Sequence, residues 1–239
     1  MENRRKRRTR NDIEASINEA ATGLIEERGF HDITVTAIMQ KAKIEPIVFY
    51  NRYNDLGEFT DGFVKKYDYW FSDVMKKIEN KNDLKTQYAS ILGSLFDSLQ
   101  ANKMMQQLLR WEVSNNNDTT QRTARLREFY TLPLVEKYKK AFEGSPVDID
   151  AVSALIIGGI YYLILHADLS LFAGIDIRAE DGKRKIHDAL GYFSNQFFST
   201  LSPARTEAET IARKMREKGI ALDIIAECTG VKASVIEQL

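Results

Sequence analysis

The densest chemistry in this chain is cationic. Met1 to Arg10 carries six basic residues and one acid, and RRKRRTR runs from Arg4 to Arg10. Side chains of this type neutralise phosphates and release the counterions that surround a nucleic acid. Arg5, Arg8 and Arg10 are therefore candidate phosphate contacts. A solvated tail is the plainer reading of such a run. Contact is favoured by the stretch that follows, ITVTAIMQKAKIEPIVFYNRY, from Ile33 to Tyr53. Its Thr34, Thr36, Lys43, Tyr50, Asn51 and Tyr53 offer groups that can hold phosphates. Ile47 and Val48 can touch thymine methyl groups.

No other chemistry competes with this. His31, His166 and His187 are scattered, without the paired spacing of a metal site. Cys228 is a lone cysteine on an apolar face, more suited to packing than to nucleophilic attack. The chain has no G-x-S-x-G, no Walker loop and no G-x-G-x-x-G. No metal, no cofactor and no enzymatic reaction is expected.

The elements that must position the polar residues are short helices. Val35, Ile38 and Met39 share one helical face. A second apolar run, Ile47 to Tyr50, begins at Glu45-Pro46, and proline suits the first position of a helix. Two such helices joined by a tight turn have the layout of a helix-turn-helix, whose second helix enters the DNA major groove. Upstream, Asn11 or Asp12 can cap a supporting helix that runs to about Arg28 and stops at Gly29. Its buried stripe is Ile13, Ile17, Ala20, Ala21, Leu24 and Ile25. Thr34 suits the N-cap of the helix after it, where free amides can also hold a phosphate.

These residues carry a resemblance. Ile17-x-x-Ala20-Ala21, Gly29-Phe30, Ile33-Thr34-Val35, Ile38, Ala42 and Phe49-Tyr50-x-x-Tyr53 resemble the DNA-binding head of TetR-family transcriptional regulators. The match covers about residues 10–65. The resemblance implies a homodimer that binds a palindromic operator, usually as a repressor, and is released by a ligand in its C-terminal body. Some positions depart from the family. Lys43 stands where it usually has Gly, Glu45 where it has Ser or Asn, and Ile47-Val48 where a small residue and Thr are usual. Leu56 replaces a lysine that commonly contacts phosphate. The alternative is a helical ligand-sensing or protein-interaction dimer with a degenerate, non-binding helix-turn-helix.

The rest of the chain reads as all-α. A linking helix is expected from Asp55 to about Glu79, then further helices to Thr200. Three units follow: a head with a basic arm over 1–54, a helical ligand-binding and dimerisation body over 55–202, and a helical tail over 203–239. Trp70, Tyr88, Trp111, Tyr161 and His166 are candidate pocket residues for a small apolar or aromatic effector. The same residues would also fill an empty core. Ala151 to Leu165 carries no charge and is expected to be buried on all sides. It is short of the roughly twenty residues a membrane span needs. Ile157, Gly158, Tyr161, Leu190, Phe193 and Phe197 are the expected subunit contacts, as in the four-helix interface of the family. Zero formal net charge excludes a general polycation, and 44% hydrophobic content can fill a core. A single cysteine and no visible signal peptide suit a cytoplasmic protein. The tail reads as three short helices with glycine turns at Gly219 and Gly230. Its Ala226-x-x-x-Gly230-Val231 has the spacing of a helix-turn-helix elbow, although a small packing appendage is the favoured reading.

Overall fold

A computed structural model describes residues 8–67, 69–76, 78, 83–201 and 204–237. Among the described residues every regular element is helical. The head consists of α1 (Arg10–Arg28), α2 (Val35–Ala42) and α3 (Pro46–Tyr50). Thr9, not Asn11 or Asp12, caps α1. Its hydroxyl accepts from the Asp12 amide at 3.2 Å, while the Asp12 carboxylate accepts from the Thr9 amide at 2.8 Å. This reciprocal pair satisfies two orphan amides at once. Thr34 caps α2 by accepting from the Ala37 amide.

The expected single linking helix is broken. It splits into α4 (Leu56–Val64), a 3-10 turn (Lys65–Tyr67) and α5 (Trp70–Lys76). The apolar period runs straight through the break, since Phe59, Phe63, Tyr67 and Trp70 keep helical spacing. Periodicity alone therefore could not reveal it.

The body is built on α6 (Leu84–Ala101), which packs against α5 and against three later helices. These are α7 (Lys103–Ser114), α9 (Ile149–His166) and α10 (Glu180–Ser199), with α8 (Asp118–Ala141) laid across α7 and α9. The inward face of α6 is Tyr88, Ile91, Leu92, Leu95, Phe96 and Leu99, all buried. Helix α8 continues through Pro133.

Helix α9 departs from its expected burial. Only Ile149, Ile160 and Ile164 are enclosed, while Leu155 is 77% exposed and Gly158, Gly159 and Tyr162 lie open. One chain covers one side of this helix and leaves the other bare. At 18 residues it is long and apolar enough, by length and composition alone, to cross a bilayer, although Asp150 and His166 stand at its two ends.

The tail forms α11 (Ala204–Glu217), α12 (Leu222–Thr229) and α13 (Ala233–Ile236). It has an apolar cluster of its own, made of Ala212, Ile225, Val231 and Ile236. Head and body, in contrast, share one continuous core.

Gly182 shows how tightly the start of α10 is seated. A Cβ there would run into the carbonyl of Asp176 in the preceding loop. Gly182→Ala should therefore destabilise the chain by roughly 1–3 kcal/mol, the usual cost of overpacking. Calorimetry should show a midpoint lowered by several degrees; an unchanged midpoint would mean that the loop yields freely.

Candidate nucleic-acid interface

Helix α3 is only five residues long, too short to persist alone. It is held by Phe49, which is 0% exposed and lies 5.8 Å from the ring of Phe59 on α4. Tyr53 completes a three-ring cluster, 5.2 Å from Phe49 and 5.1 Å from Phe59. The ladder continues to Phe63 and Tyr67 at 5.6 and 5.9 Å steps. Tyr53, expected at a phosphate, therefore has its ring committed to packing, and burial pushes its phenol up.

The opposite side of the two-helix unit is open. Ile47 is 64% exposed, and Thr34, Thr36, Lys43, Glu45, Tyr50 and Asn51 are exposed beside it, with Val48 half-buried. The expected contacts on and beside these two helices are thus accessible to solvent, Val48 in part. Arg10 is exposed at the start of α1. Arg5 lies outside the described residues.

Arg8 has a different place from the one its charge suggests. Its guanidinium Nη1 donates to the Ala42 carbonyl at 3.1 Å, with Lys43 O at 3.5 Å. It thus closes the C-terminus of α2 at the elbow. That elbow depends on Lys43 in the left-handed conformation, φ 53°, ψ 53°. A side chain there costs roughly 1–2 kcal/mol, which is the physical reason for a glycine at such a turn. Arg52 does a parallel job one helix later, donating from Nη1 to the Val48 carbonyl at 2.7 Å. Sequence reasoning missed Arg52; the signal was a cation just past the end of a short helix.

The head meets the body at the last turn of α7. Phe30 stacks on Trp111 with centroids 4.7 Å apart and planes 12° from parallel. His31 Nε2 lies 3.2 Å from Ser114 Oγ and 2.7 Å from Asn115 Nδ2. The same turn carries Arg110, which donates to Leu165 O at 2.9 Å on α9, and Glu112, which pairs with Arg127 and accepts from Thr123 Oγ1 at 2.6 Å on α8. On the other side, Asp61 of α4 joins Arg122 of α8 at 3.0 Å. The cations Lys65 and Arg122 hold its carboxyl below the usual range.

The expected pocket residues do not converge. Trp111 belongs to the head–body stack. Tyr88 bonds Ser153 at 2.8 Å and packs edge-on to Tyr138, 5.2 Å away. Tyr161 points toward Arg127 and Glu112, and burial pushes its phenol up. His166 stacks on Tyr162 near Phe172, and Trp70 lies against Phe71. Tyr88 is buried in the core, Trp70, Trp111 and Tyr161 pack against it, and His166 lies beside the open rings of Tyr162 and Phe172.

An open apolar groove of about 540 Å³ instead lies along α9, lined by Leu155, Gly158, Gly159, Tyr162, Phe172 and Ile186. Of the expected subunit contacts, Gly158 and Phe193 are exposed, and Ile157, Tyr161 and Phe197 are half-buried. Phe193 stacks on Phe197. Leu190 is 6% exposed and turned into the core, because it belongs to the Ile186–Leu190–Ser194–Phe198 row that α10 presents inward. Tyr192 and Leu155 are open instead.

An exposed helix-turn-helix on an all-helical body with a bare apolar helix face defines the fold, and comparison with solved structures narrows it. The fatty acid degradation regulator FadR from Bacillus halodurans aligns over 78% of this chain and 97% of its own, with a TM-score of 0.57 and 16% identity. The transcriptional regulator FadR from Bacillus subtilis, solved in complex with stearoyl-CoA, aligns over 76% and 97%, with a TM-score of 0.58 and 16% identity. A TetR-family transcription regulator from Marinobacter aquaeolei aligns over 75% and 95%, with a TM-score of 0.53 and 18% identity. No protein-family model matches the chain, and no curated protein does. The chain has the fold of the TetR-family transcriptional regulators.

The elbow geometry gives a sharp expectation. Arg8→Ala should lower the thermal midpoint by a few degrees, since it removes a charged bond worth roughly 1.5 kcal/mol. Lys43→Gly should raise it, and the double variant should depart from the sum, because the two groups share one turn. Additive effects, or an Arg8→Ala midpoint equal to the parent's, would remove Arg8 from the elbow.

Proposed function

We propose that this chain is a ligand-responsive transcriptional regulator, a non-enzymatic cytoplasmic protein that binds duplex DNA as a homodimer. The observation that carries the reading is the exposure of Thr34, Thr36, Lys43, Ile47, Tyr50 and Asn51 on and beside α2 and α3, while Phe49 anchors α3 from its buried side. The working division is a head to residue 54, a body to 202 and a tail beyond. Two heads related by a two-fold axis would address half-sites about 34–36 Å apart on a near-palindromic operator. The bare α9 face, with its paired glycines, is suited to the same helix of a second copy, since an isologous contact brings one patch against itself. The effector is small and apolar or aromatic; the Bacillus subtilis neighbour, solved with stearoyl-CoA, holds a molecule whose acyl chain is apolar. The reading as a repressor rests on the family resemblance alone.

A specific observation keeps a second reading open. At the tip of α3 stand the acid Glu45, with no side-chain cap, and the apolar Ile47, so the helix offers few donors for base edges. The second reading is a ligand-sensing dimer whose reader no longer binds. A gel-shift titration with the DNA flanking its own gene, at two salt concentrations, separates them. The regulator gives a discrete retarded species and a steep fall of affinity with salt. Equal, weak binding to every sequence supports the degenerate reader.

Gly158→Leu tests the dimer. A Cβ at Gly158 meets nothing in the single chain, so the variant should fold. It should elute as a 27.4 kDa monomer and lose about a hundredfold in operator affinity, because the second head is no longer tethered. A dimer that survives the substitution places the subunit contact elsewhere.

A further inference from the structure

The tail repeats the elbow of the head in register. Helices α2 and α12 are both eight residues long, and each ends on a residue of positive φ, Lys43 at 53° and Gly230 at 68°. An inward-turned aliphatic follows in both, Ile44 and Val231, then an exposed N-cap, Glu45 and Lys232. The fourth residue of the first helix is 0% exposed in each unit, Ile38 and Ile225. So is the fourth residue of the second helix, Phe49 and Ile236. Even the first-turn bond recurs, Val48 N to Glu45 O and Val235 N to Lys232 O, both at 2.9 Å. Helix α11 takes the supporting place of α1 and buries Ala212. Since the unit has its own apolar cluster, these features follow from its own residues.

We propose that residues 204–237 are a second helix-turn-helix that docks on duplex DNA beside the site occupied by the head. The equivalence assigns its contacts. Lys232 stands where the head has Glu45, and Ser234 where it has Ile47, and both are exposed. The tail thus presents a cation and a hydroxyl at the two places where the head presents an acid and an apolar group. Lys218 is exposed just ahead of α12, on the approach to the helix end that faces phosphates in this geometry. Two acids oppose it. Asp223 occupies the position of Thr36 and Glu237 that of Tyr50, and both are exposed. The tail is therefore a weak binder by itself. Its effect comes from tethering, which makes a second contact intramolecular once the head is bound. The Arg216 guanidinium closes the short α13, donating to Ile236 O at 2.9 Å and Glu237 O at 3.0 Å, so it is a positioning residue.

The test uses the full chain on a long duplex from beside its own gene, with affinity followed against salt. Lys218→Gln/Lys232→Gln should keep the circular dichroism of the parent and reduce the slope of log affinity on log salt by about 1.8, for two phosphate contacts. Asp223→Asn should tighten binding several-fold. An unchanged slope in the lysine pair, or an Asp223→Asn variant that binds DNA as the parent does, overturns the proposal. The latter would also be the result if the unit docks on protein. Tyr50→Ala, measured alongside, separates this outcome from failure of the head. If the head does not bind, Tyr50→Ala has no effect while the lysine pair still weakens binding. If only the head binds, the pattern is reversed.

Discussion

Phe49 lies wholly enclosed beneath a five-residue helix, and the geometry of the head follows from that burial. A helix this short forms too few backbone bonds to outweigh the entropy of ordering it. What orients it is the aromatic cluster with Tyr53 and Phe59, continued by Phe63 and Tyr67 along α4. Helix α3 is therefore a side branch of an aromatic ladder that runs along α4 to Tyr67, which lies against Thr22 and Glu26 of α1. Any displacement of α4 moves the exposed face of α3 with it, because close-packed rings slide poorly against one another.

Two routes join this head to the body. One is α4, tied to α8 through Asp61 and Arg122. The other is the last turn of α7, where three successive residues face three neighbours: Arg110 meets α9, Trp111 stacks on Phe30 of the head, and Glu112 pairs with Arg127 of α8. A change of spacing between α8 and α9 would reach the head through that turn. The interrupted link between α4 and α5 gives the first route a place to bend.

The elbow occurs twice, with different solutions to one problem. A chain that leaves one helix and starts another at a steep angle within three residues needs a left-handed residue at the corner. The tail uses Gly230, which pays no Cβ penalty. The head uses Lys43, and there the Arg8 guanidinium satisfies the carbonyls left at the end of α2. The last arginine before Thr9 is thus engaged within the head.

By itself the sequence determined the helical class, the order of the head helices and the place of the elbow. These depend on local physics: apolar residues every three or four positions, Thr34 as a cap, Gly29 and Gly230 as stops. It also placed Ile38 on the apolar face of α2, whereas which of the four consecutive apolar residues Ile47 to Tyr50 turns inward was decided by the packing of Phe49 on Phe59. It did not show that the link at Lys65–Tyr67 breaks, because the apolar period is the same on both sides. Nor did it show that the large aromatics part company, with Trp111 going to the head and Tyr88 and Tyr161 to separate corners of the body. Arg8 read as a phosphate contact because charge is visible in sequence, whereas the carbonyl it meets, 34 positions away, is not. Which side of α9 stays bare, and that Leu190 turns inward while Leu155 turns out, was decided only by tertiary packing. An apolar side chain records that it must be covered, and only the arrangement of the other helices records what covers it.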